Sequence, residues 1–344
     1  FSVSSANLQH SSILLKGDGS MKKILTAILV LLLSFSSVAF AENQTQILNH
    51  PEAANHDGKL TPEEQKMLDK RSEQIRNLFL SRAKAQGKVD QLEKKLDEIK
   101  ANQEYEAIPA IEFSLAEAKL ELQDILDSYE KIGLYKATKD DEELTKKNQV
   151  TALSSTADFE SNPSFSVYWD SQVNMYLAEY YGNWVNDDWT EDLECTLITC
   201  PVGVVEIGEP DAIGIFSAHE DINIFNEEFW TLNEDLEETD RTNDNLGEPV
   251  GNRGAGFEWQ DQVTVYRYPG VSYFDNFNSY RLLMWYYFTF VDTPSPEIQF
   301  HAQYGHTWET TYITGISVGF GNFGISFSTE DHRFLETEIF TLYP

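Results

Sequence analysis

The sequence predicts an α+β multidomain protein, in which an N-terminal antiparallel helical hairpin or coiled coil precedes an all-β sandwich domain of jelly-roll type. Apolar residues recur with a heptad period over residues 61–135. Residues 164–344 instead alternate apolar and polar positions with a period of two, and all seven tryptophans lie at or beyond position 169. Residues 136–163 lose both patterns and are rich in charged and small polar residues, which is typical of a linker.

The first predicted helix has a defined start and a continuous apolar seam. Thr61, Pro62 and Glu64 match a capping box with proline in the first turn. Two arginines, Arg71 and Arg82, interrupt the seam that follows. Its heptad positions are Leu68, Arg71, Ile75, Leu78, Arg82, Ala85, Val89, Leu92, Leu96 and Ile99.

A second helix is predicted after a break at Ile108 and Pro109, and Gly133 is placed to end it. Its seam consists of Ile111, Leu115, Ala118, Leu122, Ile125, Tyr129 and Ile132. The two helices form either a stalk that mediates self-association or a layer that packs on the rest of the protein, and the pattern does not separate these alternatives.

The C-terminal part is predicted to contain many short strands separated by turns. Residues 282–288 are apolar at every position, which indicates a central strand buried on both faces. Gly321 and Asn322 are predicted to form the two-residue turn of a hairpin. The candidate strands are residues 173–181, 202–207, 212–216, 257–266, 280–291 and 335–343.

Residues 21–41 have the three parts of a cleavable secretory signal. Met21 and two lysines precede the apolar run 24–35, and small residues at Ala39 and Ala41 predict cleavage after Ala41. We therefore expect a secreted protein with a flexible stretch at residues 42–60 and no transmembrane segment in the mature chain. Residues 1–20 are interpreted as untranslated leader, because codons for residues 16–18 can supply a purine-rich ribosome-binding sequence.

Composition argues against two classes of partner. Removing residues 1–41 removes three lysines and one aspartate, so 22 basic and 56 acidic residues and a net charge of −34 remain. Nucleic acids and anionic lipids bind mainly through Lys and Arg, so neither is expected as a partner. The charge favours solubility over loose binding of divalent cations. Cys195 and Cys200 are expected to form a disulfide in an oxidising compartment.

Two segments have residues of metal-binding type. Asn55, Asp57, Gly58 and Glu64 match part of an EF-hand loop, but Ala53 stands at its first ligand position, so calcium is only a weak possibility and no cofactor is predicted. His301 and His306 differ by an odd number, so on a regular strand they point to opposite faces. They are predicted to be packing histidines, and the same argument separates Glu309 from His306.

The aromatic-rich β-domain contains three candidate ligand-facing residues and no catalytic motif. Trp184 and Trp189 flank an acidic loop, and Glu258 lies between two aromatic residues. Large aromatics either stack on a sugar ring or fill a core. No nucleophile elbow is present in the sequence, so catalytic residues are not assigned.

We therefore favour an exported, non-enzymatic bacterial surface or extracellular protein that binds carbohydrate or a protein partner. A polysaccharide hydrolase with two opposed carboxylates is the first alternative. A pore-forming protein is the second, since apolar residues alternate with small ones on either side of Gly321.

Overall fold

A computed structural model describes ten segments of the chain, which are residues 58–137, 159–160, 165–185, 201–243, 252–268, 271–275, 277–307, 313–319, 322–328 and 333–344. All of them belong to one compact unit. The predicted leader, the signal peptide, most of the linker, Trp189, Cys195, Cys200 and Glu309 lie outside these residues.

Three helices open the described chain, namely α1 (Pro62–Ala101), α2 (Ile108–Leu126) and the short α3 (Ser128–Lys131). The predicted capping box at the start of α1 is confirmed. The Thr61 N–H donates to Glu64 Oε2 over 2.8 Å, and the Glu64 N–H donates to the Thr61 hydroxyl over 3.3 Å. Gly133 adopts a φ of +85°, but α2 ends at Leu126, before the predicted position.

Fourteen strands are described, all paired antiparallel. They are β1 (Leu134–Lys136), β2 (Phe159–Glu160), β3 (Ser166–Asp170), β4 (Met175–Trp184), β5 (Gly203–Ser217), β6 (Ile222–Leu232), β7 (Glu238–Asp240), β8 (Gly254–Tyr268), β9 (Val271–Asp275), β10 (Arg281–Phe290), β11 (Ile298–Thr307), β12 (Ile313–Gly319), β13 (Asn322–Phe327) and β14 (Arg333–Leu342). The β-rich domain is thereby confirmed.

The strands form two large sheets and one hairpin. The first sheet has the order β1-β3-β4-β10-β6-β7, with β2 also paired to β4, and the second has the order β14-β11-β5-β8-β9. Within the part of the chain that the structure describes, strands β12 and β13 pair with each other and with no other strand. Strand β10 lies in the middle of the first sheet and is buried along its whole length, which confirms the prediction for residues 282–288.

The two faces of the first sheet pack against different layers. On one face, side chains such as Tyr286 and Phe288 share a core with Phe257 and Phe300 of the second sheet. The other face packs against α1, where Phe79 meets the Trp285 ring edge-on at a centroid distance of 5.6 Å. The alternation of β10 therefore supplies both cores, because neighbouring side chains on a strand point to opposite faces.

The first half of the α1 seam contacts the sheet. Leu68 and Ile75 are buried in the core between helix and sheet. The two arginines that interrupt the seam are buried in ion pairs with strand residues. Arg71 binds both carboxylate oxygens of Asp170, at 2.7 and 3.1 Å. The positions that look like defects in a helix–helix seam are therefore polar contacts between the helix and the sheet.

The hairpin β12–β13 lies against the second sheet, where Ile313 and Ile325 pack with Ala212. The prediction that Gly321 and Asn322 form the turn of this hairpin is wrong for Asn322, which pairs with Gly319 and belongs to β13. Among the described residues, none of the helices combines the length and the hydrophobicity that crossing a bilayer requires.

Candidate functional site

A wide β-bulge joins two segments that the sequence predicted as separate strands. Residues 202–207 and 212–216 are both part of β5, and the register with β8 shifts between Ile207 and Asp211. Ile207 faces Asp261 and Asp211 faces Trp259, so three β5 residues stand opposite Gln260 alone. The Gln260 amide donates to the carbonyls of Ile207 and Gly208, at 2.7 and 3.2 Å, which satisfies backbone groups that the interrupted ladder leaves open.

The residue that follows the bulge, Asp211, directs a buried carboxylate into the core between the sheets. Its side chain accepts hydrogen bonds from the Tyr304 hydroxyl at 2.7 Å and from the Thr307 N–H at 3.1 Å. His306 Nδ1 lies 2.8 and 2.9 Å from the two carboxylate oxygens. Asp211 is 1 % exposed and His306 is 5 % exposed, so this contact is shielded from water.

A second buried carboxylate, Asp261, lies beside the first. The Trp259 indole N–H donates to Asp261 Oδ1 over 2.7 Å, whereas Oδ2 has no hydrogen-bond partner. Burial raises the pKa of Asp261 well above its usual value, the negative charge of Asp211 raises it further, and His306 opposes both effects. This carboxyl group is therefore held in an environment that disfavours its ionised form.

Asp211, Asp261 and His306 together form what we call the Asp–His cluster. One ligand-type atom from each residue lies within 4.8 Å of the others, and all three residues are buried. Carboxylate oxygens and an imidazole nitrogen at such separations can share a proton or hold a cation.

A pocket of about 460 Å³, which we call the β8 pocket, opens beside the bulge. Its lining residues are Pro210, Arg241, Asn243, Glu258, Trp259, Gln260 and Gln262. Glu258, Gln260 and Gln262 are partly exposed and alternate along β8 with the buried Trp259 and Asp261. Partial burial raises the pKa of Glu258.

The three candidate ligand-facing residues do not come together in one site. Glu258 lines the β8 pocket. Trp184 is only 5 % exposed, and its ring meets the His306 ring edge-on at a centroid distance of 5.0 Å. The prediction that Trp184 faces a ligand in solvent is therefore wrong. It is a core residue because the end of β4 is covered by the second sheet. Trp189 lies outside the described residues.

The histidine prediction agrees with the observed strand geometry. His306 points into the core shared by the sheets, next to Tyr304 and Asp211. His301 is an odd number of positions away on the same strand, β11, and burial together with the nearby His219 lowers its pKa to about 4.

At the partial EF-hand match, the Glu64 carboxylate accepts hydrogen bonds from the Thr61 N–H and hydroxyl. Residues 53–57 lie outside the described chain.

Asp211 and Asp261 were not among the residues predicted from the sequence. With so many carboxylates in the chain, composition gives no reason to select them. The sequence does contain a pattern that points to Asp261, which occupies the alternating buried positions of β8 together with Phe257, Trp259 and Val263. An acid on the buried side of an alternating strand needs a partner, and that rule would have identified it.

No protein-family model matches the chain, and none of the curated proteins matches it. A fold alone does not define an activity. The chemistry of the β8 pocket and of the Asp–His cluster is therefore the basis for a functional proposal.

Proposed function

We propose that the protein is an exported, non-enzymatic binding protein that holds a hydroxyl-rich ligand, a saccharide, in the β8 pocket. The observation that carries this proposal is the composition of the pocket, which combines amides with one carboxylate and one guanidinium group. Amide side chains both donate and accept hydrogen bonds, as sugar hydroxyl groups do. The volume of about 460 Å³ falls within the range of small-molecule sites.

The charges in the pocket support a neutral ligand. Arg241 and Glu258 contribute one charge of each sign, so the pocket favours neither an anion nor a cation strongly. The chain as a whole carries a net charge of −32, which disfavours polyanionic ligands such as nucleic acids. A neutral saccharide meets both conditions.

Binding is favoured over hydrolysis because of the number of acids in the pocket. Most glycoside hydrolases need two carboxyl groups on opposite sides of the scissile bond. Among the described lining residues, only Glu258 carries a carboxyl group. Its raised pKa would suit a general acid, so hydrolysis is retained as an outcome that the binding experiment can reveal.

The remaining features of the proposal concern export and architecture. We propose that residues 21–41 are a signal peptide cleaved after Ala41, that Cys195 and Cys200 form a disulfide, and that the two large sheets form a jelly-roll-like sandwich. We also propose that α1 and α2 form a helical hairpin able to mediate self-association. The contact of Ile325 with Ala212 supports a hairpin β12–β13 that stays packed, which favours binding over pore formation.

The proposal is tested by screening the full chain against a glycan array and insoluble polysaccharides. The full chain is used because α1 packs on the first sheet. We expect Gln262→Ala and Glu258→Gln to weaken binding of any captured glycan at least ~10-fold, the scale of one lost hydrogen bond. Glu227→Gln, at an exposed acid outside the pocket, is the matched control and should bind as the wild type does.

Two results would overturn the proposal. Either no glycan is captured, or both pocket variants bind as tightly as the control. Release of reducing ends from a captured polysaccharide, lost in Glu258→Gln, would instead establish the hydrolase alternative.

A further inference from the structure

We propose that Asp211, Asp261 and His306 bind a divalent transition-metal ion of the zinc type in the core between the two sheets. This site is separate from the β8 pocket and does not depend on the saccharide proposal. The two sites touch at the bulge, because Pro210 and Trp259 line the pocket while their neighbours Asp211 and Asp261 belong to the cluster.

The spacing of the three side chains suits a shared ion. Two ligand atoms bound to one zinc ion at ~2.0–2.2 Å lie about 3–3.5 Å apart. His306 Nδ1 and the Asp211 oxygens are 2.8 and 2.9 Å apart in their present hydrogen-bonded contact, so a small separation of the two side chains would admit the ion between them. The largest separation in the cluster stays within 4.8 Å, so a side-chain shift of about 1–2 Å by Asp261 would complete the set.

An open coordination position exists at Asp261 Oδ2. This oxygen is buried and lacks a hydrogen-bond partner, although its residue is only 2 % exposed. A buried carboxylate oxygen without a partner is costly, and native proteins rarely tolerate one without a compensating group. A cation bound between Asp211 and Asp261 would provide that compensation.

The balance of charge points the same way. The charged groups that act most strongly on the Asp261 carboxyl are Asp211 and His306, so two acids face one imidazole. A divalent cation with two carboxylates and a neutral imidazole gives a site with no net charge. That arrangement removes the repulsion between the acids, which a single shared proton relieves only in part.

Hydrogen bonds from surrounding residues hold both carboxylates in position. The Tyr304 hydroxyl and the Thr307 N–H donate to Asp211, and the Trp259 indole N–H donates to Asp261 Oδ1, which leaves Oδ2 for the ion. Such outer hydrogen bonds are typical of metal sites, where they fix the orientation of the ligands.

The ligand types select the class of ion. An imidazole nitrogen with two carboxylate oxygens suits zinc, manganese or iron, whereas calcium and magnesium prefer sites built from oxygen alone. Three protein ligands leave a fourth position for water or another group.

The test is a titration of the full chain with Zn²⁺ after chelator treatment, followed by calorimetry and by metal analysis after gel filtration. We expect one ion per chain with a Kd at or below about 0.1 µM, tight enough for the ion to survive gel filtration, and a rise in Tm of about 5 °C at saturation. Mg²⁺ at the same concentration should not compete. Weak zinc binding to the many surface acids is removed by the gel filtration step.

Two variants and a matched control test the ligand assignment. Asp261→Asn keeps the shape of the side chain and should weaken Zn²⁺ binding at least ~100-fold, and His306→Gln should do the same. Asp235→Asn, at an exposed acid, is the matched control and should bind one ion as the wild type does. Co²⁺ loading adds an optical signature of the coordination sphere that must disappear in His306→Gln.

The proposal is overturned if the wild type retains no ion after gel filtration, a result that requires no variant. It is also overturned if Asp261→Asn and His306→Gln both fold, as judged by circular dichroism, and still bind one ion. Loss of the ion in Glu258→Gln but not in Asp261→Asn would move the site to the β8 pocket and reject the cluster.

Discussion

Arg82 of α1 donates from Nη1 to Oε2 of Glu179 in β4 over 2.9 Å, and neither side chain is more than 3 % exposed. Burial raises the pKa of Glu179, and the Arg82 charge opposes that effect. The guanidinium group also lies over the Tyr181 ring, 5.2 Å from its centroid. Burying an ion pair of this kind costs desolvation energy. Removing one partner destabilises the fold, because the other partner is then a buried charge without compensation.

We expect Arg82→Met to lower the free energy of unfolding by about 3–5 kcal/mol, because Glu179 would then be a buried acid without the charge that contributes most to stabilising its ionised form. The double variant Arg82→Met/Glu179→Gln should be more stable than Arg82→Met, since it buries no unpaired charge. Urea unfolding measures both values. Lys88→Ala, which breaks an exposed pair with Glu121, should change stability by less than about 1 kcal/mol. Equal losses in the single and double variants would contradict this account.

We expect Tyr287→Phe to destabilise the protein by about 1–2 kcal/mol. The Tyr287 hydroxyl donates to Asp170 Oδ2 over 2.8 Å, and the same carboxylate binds Arg71. A hydrogen bond to a buried charged group contributes more than a neutral one. Chemical denaturation checks the value against Tyr135→Phe, an exposed tyrosine that should change stability by less than ~0.5 kcal/mol. Identical midpoints for the two variants would argue against the contact.

We expect His301 to make the protein less stable as the pH falls from 6.5 to 4. Burial and His219 lower the pKa of His301 from 6.5 to about 4, so in this interval the unfolded state binds a proton that the folded state does not. The full difference corresponds to at most about 3 kcal/mol, and residual contact of the ring with water reduces our expectation to ~1–2 kcal/mol.

The measurement is the urea midpoint at several pH values between 4 and 7 for the wild type and for His301→Gln. The difference between the two proteins isolates the histidine from the many carboxyl groups that titrate below pH 5. Curves that remain parallel over the whole interval would show that His301 is not responsible.

We expect Gly305→Val to displace the hairpin β12–β13 from the second sheet. A Cβ atom at Gly305 would lie 2.9 Å from Phe327 Cζ and 3.0 Å from Ile325 Cγ2, which is too close for either neighbour to stay in place. The expected cost is about 1–3 kcal/mol. Hydrogen exchange should show faster amide exchange at Ile325, whose N–H donates to Gln303 over 3.0 Å. Ser326→Ala, at an exposed position of the same strand, should leave exchange unchanged.

Local patterns predicted the elements that depend on local chemistry. The capping box at Thr61, the break before Pro109 and the buried strand at 282–288 all follow from residue types within a few positions of each other. Such signals need no knowledge of the rest of the chain.

The features that the sequence did not reveal depend on residues far apart in the chain. Arg71 interrupts the apolar seam of α1 in the sequence, and the sequence does not show its partner, Asp170, which lies 99 positions away. The Asp–His cluster joins Asp211 to His306, 95 positions apart, through a bulge that the strand pattern showed only as a gap. Heptad periodicity identified the buried side of α1 correctly, but it does not state whether a helix or a sheet covers that side.

The position of β10 in the first sheet determines when that sheet can be completed. Strands β4 and β6 are neighbours of β10 and not of each other, and β10 begins only at Arg281. In a chain that emerges N-terminus first, the strands that α1 contacts therefore form two separate parts of the described sheet until Arg281 has appeared. Any product truncated before position 281 lacks the strand that joins these parts, together with Trp285, against which Phe79 of α1 packs.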